Sequence, residues 1–352
     1  MSLKIAIIGA GWYGCHIGHI LDTLDFEVKI FEKNNDIFLE ASGNNQFRLH
    51  LGFHYARDYR TRLQSRDGYH RFLERYNDLT EEIKDNLYIV PENDSLIDDM
   101  TYKMIMLTSG IEFEELNSST ISNEFSYLKH SKLVFNTDER IILTNKAKEY
   151  YKRVLNAKII YNTKIESIEE NSNGVIVNGE RFDFVIDATW GHYSNKKENF
   201  FFEPTLLLYY KTDQDFPALT YVDGPLCSLY PTEEKGTYTL SSVTHTPLGK
   251  YNEANKARDF IENIDSNLIK EKINAMETEI SKYVPDFKKH FTYKSPQLSI
   301  KTKSIVANDD RSCYVETYGR MITIISGKID TIFYASQEVI NILSEFKEKK
   351  ND

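Results

Sequence analysis

An apolar run, Ile5-Ala6-Ile7-Ile8, leads directly into Gly9-Ala10-Gly11-Trp12-Tyr13-Gly14, and a second apolar strand, Val28-Lys29-Ile30-Phe31, is closed by Glu32. No other feature constrains the fold as tightly. Strand, glycine turn, helix, strand and acid, in that order and spacing, are the parts of a dinucleotide-binding β-α-β unit. The first glycine permits the tight turn out of the strand, the second lets the backbone approach a pyrophosphate, and the third lets the helix lie close to the strand. Glu32 is placed to hydrogen-bond the adenosine ribose hydroxyls. The same residues would also serve as a glycine-rich turn in an α/β domain that holds no ligand.

Beyond residue 33 the pattern changes. Residues 41–55 are rich in Asn, Gly and His and follow neither a helical nor a strand period, which reads as an ordered loop. Residues 59–76 carry Leu63, Tyr69, Phe72, Leu73 and Tyr76 at helical spacing, and 87–90 form a strand ending at Pro91. The stretch 87–135 has the look of an insertion, with a helix near 97–107. Thr144 is placed to cap a helix running to 155, followed by strands at 158–161, 164–168 and 174–177, the turn Asn178-Gly179, and a strand over 182–189. Its core, Phe184-Val185-Ile186, suits a parallel strand buried on both faces. Aromatic strands at 206–210, 218–222 and 238–243 suit an antiparallel sheet. Helices follow at 252–261 and 266–283, then strands near 298–303, 313–317 and 321–325, a turn at Ser326-Gly327-Lys328, and a terminal helix. The fold class expected is α/β: a Rossmann-type domain with a parallel sheet, interleaved with an α+β domain whose sheet is mostly antiparallel. The expected boundaries are 1–55, 140–200 and 300–352 for the first, and 56–139 and 201–299 for the second.

With 352 residues, 41% of them hydrophobic, the chain can bury two cores. A net charge of −10 argues against a nucleic-acid partner, which needs concentrated Lys and Arg. Arg57, Arg60, Arg62, Arg66, Arg71 and Arg75 cluster, but Asp67 and Glu74 lie among them, so a solvated helix face is expected, with an anion site at its start as the alternative. Cys15, Cys227 and Cys313 are too scattered for a disulfide framework or zinc site, and the histidines lack metal-ligand spacing, so no metal is expected. No apolar run approaches a membrane span and no signal peptide is recognisable, which gives a cytoplasmic expectation. A G-x-S-x-G nucleophile elbow is also missing.

Four segments together resemble the FAD-dependent oxidoreductases of the D-amino acid oxidase superfamily. They are the glycine fingerprint with Glu32, the loop Ala41-Ser42-Gly43-Asn44-Asn45-Gln46-Phe47-Arg48-Leu49-His50-Leu51-Gly52-Phe53-His54-Tyr55, the strand end Asp187-Ala188-Thr189-Trp190-Gly191, and Ile325-Ser326-Gly327-Lys328-Ile329-Asp330-Thr331 before the last helix. In the loop, the order Asn45, His50, Gly52, Tyr55 is similar to the flavin-loop motif of L-2-hydroxyglutarate dehydrogenases and, more loosely, of glycerol-3-phosphate dehydrogenases. Its Asn-Gln-x-Arg-x-His-x-Gly-x-His-Tyr form resembles a bacterial group of oxidoreductases associated with surface-polysaccharide gene sets, which hints at a sugar-derived substrate. Two departures stand out: Ala-Thr-Trp-Gly replaces Ala-x-Gly at the third segment, and the fourth carries a single Gly327.

The resemblance implies FAD, contacted by Gly9, Gly11, Trp12, Tyr13, Gly14, Glu32, Lys33, Ser42, Asn44, Asn45, Gln46, Ile165, Ala188, Thr189, Trp190, Gly191, Gly327, Lys328, Ile329 and Thr331. NAD in place of FAD is compatible with the fingerprint and Glu32; the later segments favour FAD. It implies hydride removal from a CH–OH or CH–NH group of a small polar substrate, sugar-derived or a 2-hydroxy or amino acid, with oxygen, a quinone or a protein as electron acceptor. His50 and His54 are the residues able to take a proton near neutral pH, His54 as the base and His50 on the flavin side. Arg48 offers a planar charged fork for a carboxylate, a phosphate or the reduced flavin, and Tyr55 a phenol for the substrate or a packing surface. Lys328 would favour the anionic reduced flavin. Two rival readings are a flavin-dependent sugar-nucleotide mutase without net redox change and a non-catalytic nucleotide-binding partner in polysaccharide assembly.

Overall fold

Strand β1 (Lys4–Ile8) has Ile5, Ala6, Ile7 and Ile8 buried, as its apolar sequence requires for a strand covered on both faces. It pairs in parallel with β2 (Glu27–Phe31) on one side and with Phe184–Asp187 on the other, Ile7 facing Ile30 and Ile186. Helix α1 (Trp12–Thr23) forms the crossover between β1 and β2. The computed structural model describes residues 2–193, 200–305 and 310–351.

The chain divides into two compact units. The first comprises Met1–Gly43, Thr144–Phe200 and Thr302–Asp352. Its six-stranded sheet runs in the order Tyr314–Tyr318, Met321–Ile325, Phe184–Asp187, β1, β2, Lys158–Ile160, and only the Tyr314–Tyr318 edge strand is antiparallel to its neighbour. An antiparallel three-stranded sheet, Ile168–Asn171, Gly174–Val177 and Glu180–Phe182, covers part of it through Ile165, Val175, Val177 and Phe182, which pack on Ala6, Ile8 and Phe31. The turn Asn178-Gly179 has both residues at positive φ, the hairpin geometry that an Asn-Gly pair favours.

The second unit comprises Asn44–Leu143 and Phe201–Lys301. In its eight-stranded sheet Ala218–Tyr221 runs parallel to Asn86–Pro91, and the pairings on either side of these two strands are antiparallel. Alternation along the strands sorts the side chains: Leu87, Ile89, Leu219, Leu229, Tyr238 and Leu240 join the apolar core, which Met276, Ile280 and Tyr283 of helix Ser266–Tyr283 and Phe287 complete. Their neighbours Tyr88, Thr220, Ser228, Tyr230 and Thr239 point to the opposite face, so that face is polar.

The structure departs from the sequence reading in several places. The strand expected at 164–168 lies at Ile168–Asn171, because Glu166 and Ser167 donate their amides to the Asn178 side chain and leave the ladder. Cys227–Pro231 is a strand that the pattern did not reveal; Gly224 and Pro225 immediately before it read as loop. Thr144 begins the helix Thr144–Val154 but caps nothing, its buried hydroxyl having no partner among the described residues. The stretch 87–135 is no appendage, for it supplies three strands of the large sheet. Residues 44–55, grouped with the first domain on sequence grounds, cluster with the second unit.

Candidate active site

In the first unit, three turns meet at the carboxyl end of the parallel sheet. Gly9 has φ +97°, and a Cβ there would lie 3.2 Å from the Ala188 carbonyl oxygen and 3.4 Å from Thr189 Cγ2. A Cβ on Gly14 would lie 1.9 Å from the Gly9 carbonyl oxygen, so only glycine lets α1 rest this close to the turn. A Cβ on Gly11 would meet Ser42 Oγ at 2.8 Å, and that hydroxyl accepts the Trp12 amide at 3.0 Å. Glu32 braces the turn from the end of β2: Oε2 accepts the Ala10 amide at 2.8 Å, and Oε1 accepts the Asn34 amide and side chain at 2.9 Å each. An ionised carboxylate has about four acceptor positions, so capacity for ribose hydroxyls remains.

The third and fourth segments join the same place. Asp187 Oδ1 accepts the Thr189 amide at 2.9 Å and its hydroxyl at 2.5 Å, which holds the strand end in a turn. Trp190 and Gly191 both have positive φ, and Thr302 donates to the Trp190 carbonyl at 2.6 Å. A Cβ on Gly327 would lie 2.2 Å from Trp190 Cζ2, so the two departures are in contact and the tryptophan ring requires glycine at position 327. Tyr13 donates to the Lys328 carbonyl at 2.5 Å and shares a 2.7 Å hydrogen bond with Thr331, tying α1 to the last turn. Burial pushes the Tyr13 hydroxyl well above its ordinary pKa, so it stays a neutral donor.

These residues fit a dinucleotide diphosphate. The N-terminal residue before α1, Gly11, supplies no side-chain cap, and no acid lies in the first turn, so the positive end of the helix dipole is left for an anion. Not every residue of the expected set projects into this cradle. The Trp12 ring is buried and stacks on Phe38 at 4.9 Å, so only its backbone belongs to the turn. Ile165 packs its side chain in the core, and Lys33 pairs with Glu40 at 2.6 Å. Lys328 is buried with its ammonium 3.3 Å from Asp330, so it is one half of an ion pair and not an isolated positive charge; Ile329 lies between them in sequence.

The second unit gathers the loop residues. His50, His54 and Tyr55 form a triangle with ring centroids 5.5–5.7 Å apart. Behind it sits Glu139, buried, which sequence reasoning missed. Its Oε1 accepts the Leu51 amide at 2.7 Å and lies 3.7 Å from His50 Nδ1, while Oε2 accepts the Tyr88 hydroxyl at 2.7 Å. Arg48 Nη1 donates to that same hydroxyl at 3.0 Å, and its guanidinium lies 3.9 Å over the Tyr230 ring. Burial works against the Arg48 charge, but Tyr88, Tyr230 and Glu139 together offset it and hold the pKa above the ordinary arginine value. Its Nε and Nη2 are buried and have no partner among the described residues, a donor pair open to an anion or carbonyl. Gln46 exchanges hydrogen bonds with Ser228 at 3.1 and 3.2 Å, and Asn45 accepts from Gln297 at 3.1 Å through its carbonyl; Asn44 opens this unit.

Nothing local in the sequence marks Glu139, Tyr88 or Tyr230. Alternation places Tyr88 opposite Leu87 and Ile89, but which face carries the chemistry depends on the sheet. The arginine cluster is also more than a solvated face. Arg62 is buried and donates to Ser109 Oγ and to the Tyr55 and Ala56 carbonyls at 2.7–2.9 Å, so it fixes the end of the histidine loop, and Arg57 pairs with Asp223. The three cysteines are free and buried, and no group of three His, Cys, Asp or Glu able to hold a metal occurs among the described residues. No described helix is long and apolar enough to cross a membrane.

Comparison with known proteins bears on the same residues. The family model DAO, FAD dependent oxidoreductase, matches residues 4–296. A protein of Fusarium mangiferae, FAD-dependent monooxygenase FPY4, is 47% identical over 342 residues, covering 97% of this chain and 91% of the relative. The FAD-dependent monooxygenase kojA of Aspergillus flavus is 24% identical over 99% of this chain and 88% of its own. Among solved structures, the FAD-bound L-alpha-glycerophosphate oxidase of Mycoplasma pneumoniae has a TM-score of 0.74 at 14% identity, covering 98% of this chain and 95% of the other. Glycine oxidase of Geobacillus kaustophilus gives 0.71 at 13% identity, with the same coverage.

Proposed function

This chain belongs to the DAO family of FAD-dependent oxidoreductases, and from that premise we propose that it removes a hydride from a CH–OH or CH–NH group of a small polar substrate. FAD is its cofactor and, when bound, supplies the hydride-accepting flavin N5. The glycine turn, Ala188 to Gly191 and the turn at Gly327 are the residues proposed to hold the diphosphate and flavin edge. Glycine and L-α-glycerophosphate, for which the two structurally similar oxidases are named, carry a CH–NH and a CH–OH group respectively. A 2-hydroxy acid or a sugar-derived alcohol has the same reacting group.

His50 is the proposed base. The observation that carries this is the Glu139 carboxylate 3.7 Å from His50 Nδ1: it stabilises the imidazolium formed when Nε2 takes the hydroxyl or ammonium proton. The sequence reading places His50 on the flavin side and His54 as the base; the position of Glu139 beside His50 supports His50 for that step instead. Arg48, with two buried N–H groups directed to no protein acceptor, binds a substrate carboxylate or the flavin N1–C2 locus. Tyr55, packed edge-on against both imidazoles, orients the pair.

The test is anaerobic flavin bleaching by panels of amino acids, 2-hydroxy acids and sugar nucleotides. One class is expected to bleach the flavin, and His50→Gln to slow that reduction by about 10²–10⁴-fold. Retention of the wild-type rate in H50Q, or no bleaching by any class, overturns the reading. Flavin monooxygenation is a second reading, favoured by the name of the 47%-identical relative. Incorporation of an ¹⁸O atom from oxygen into product selects it; hydrogen peroxide or a reduced quinone or protein acceptor selects the first.

A further inference from the structure

The second unit holds a cavity that the redox chemistry does not use. It is about 530 Å³ in volume and lies where the helix Ser266–Tyr283 passes residues 224–226 and 243–246, with Glu279, His245, Tyr283, Asp94, Lys282 and Leu226 in its wall. That volume is in the range of small-molecule sites. We propose that this cavity is a second binding site, and that it takes a compact organic ammonium ion anchored by the Glu279 carboxylate.

The argument starts from Glu279. It is 9% exposed, and neither carboxylate oxygen meets a donor at full hydrogen-bond geometry among the described residues, the Ser242 hydroxyl being the side-chain donor that reaches toward it. Buried carboxylates are ordinarily satisfied by two or more donors, so one lining a cavity with no more than the Ser242 hydroxyl nearby keeps acceptor capacity for a donor that arrives from outside. Burial raises the Glu279 pKa, with the Ser242 hydroxyl and Lys282 drawing it back only in part; an incoming cation reverses that penalty. His245 does not fill the role. Its Nε2 stands 3.8 Å from Glu279 Oε2, beyond a hydrogen bond, and burial followed by Lys272 and Lys282 lowers its pKa, so it presents a neutral ring. The ring is held there by a tight turn in which the Thr244 and His245 amides both donate to Ser242 Oγ at 3.1 Å.

The remaining wall suits the same ligand. Tyr283 stacks on Tyr221 at 4.2 Å and offers an aromatic face of the kind that attracts an ammonium group, and Asp94 adds a second negative charge at the rim. Lys282 is exposed and makes no ion pair with Glu279 among the described residues, so the chain does not supply its own cation. A metal does not suit the site, since Glu279, His245 and Asp94 do not form a group of three ligands able to share one ion among the described residues, and a bound transition metal takes three or four.

The test uses the flavin-loaded enzyme and two probes of matched length, putrescine and 1,4-butanediol, titrated by calorimetry. Putrescine is expected to bind saturably and the diol not at all, and Glu279→Gln to weaken putrescine at least about tenfold, the loss of one charged contact. Thr278→Trp, on the exposed mouth of the cavity, is expected to abolish binding with visible flavin absorbance retained. Equal binding of both probes, wild-type affinity in folded E279Q or in T278W, or no saturation below about 50 mM putrescine, a free energy under about 2 kcal/mol, overturns the proposal. Because the readout is binding and not turnover, either result leaves the oxidoreductase reading standing or falling on its own test.

Discussion

Replacing Gly14 by alanine tests the cradle at its tightest point. The new Cβ would stand 1.9 Å from the Gly9 carbonyl oxygen and 3.0 Å from its carbon, both backbone atoms, with Ile7 Cγ2 a further 3.4 Å neighbour. No rotamer change relieves a backbone contact, so α1 must withdraw from the β1 turn by roughly 1 Å in an interior packed as densely as an organic crystal. Overpacking of this kind costs about 1–3 kcal/mol, and here the upper end applies because the obstacle is main chain. Alanine returns about 1 kcal/mol of helix propensity, leaving a net loss of about 2 kcal/mol. For a unit of this size that corresponds to a fall of about 4–8 °C in melting midpoint. The displaced helix also carries its N-terminal amides away from the diphosphate, so flavin occupancy after purification should drop. Gly11→Ala is the control for stability alone: its Cβ meets the rotatable Ser42 side chain, so the change should cost about 1 kcal/mol or less, the worth of the Trp12 amide hydrogen bond, while flavin occupancy should fall there too because Gly11 is the glycine that lets the backbone approach the pyrophosphate. Differential scanning calorimetry with visible absorbance of the same samples reads both effects. A Gly14→Ala protein that melts with the wild type and keeps its full flavin would refute the steric account of the turn.

Two further outcomes follow from the charges. Arg48→Leu leaves Glu139 buried without the guanidinium that offsets it through Tyr88, so urea unfolding should show a loss of about 3 kcal/mol, partly recovered in Arg48→Leu/Glu139→Gln; a loss within about 0.5 kcal/mol of zero would mean that the charges do not communicate. Glu180 accepts from Lys29 and Lys4, and these two ammonium groups hold its pKa below the ordinary 4.5. A depressed acid pKa contributes stability that is present above pH 4.5 and lost as the pH falls through the lower folded value, so Glu180→Gln should lower neutral stability by the small worth of a half-exposed ion pair, converge with the wild type in acid, and so flatten the acid limb of a stability–pH curve. An unaltered acid limb in E180Q would place that dependence elsewhere.

Much of the first unit was legible before any coordinates. A turn that needs three glycines, flanked by apolar strands and closed by an acid, has one stable way to fold, because each residue answers a local steric demand that travels with the sequence. The departures at Trp190 and Gly327 were visible too, but only as oddities; their complementarity is a contact across more than 130 residues and belongs to the folded chain. The chemistry of the histidine loop shows the same division. His50, His54, Arg48 and Tyr55 could be named from residue type and order, whereas the proposed choice between the two imidazoles rests on Glu139, which lies just before the strand Arg140–Ile142, 89 residues beyond His50, and carries no local signature. Local sequence sets backbone geometry and side-chain repertoire. Which carboxylate faces which ring, which arginine is buried with unsatisfied N–H groups, and which glutamate lines a cavity are decided by long-range packing, where burial changes the energy of a charge far more than its neighbours along the chain do.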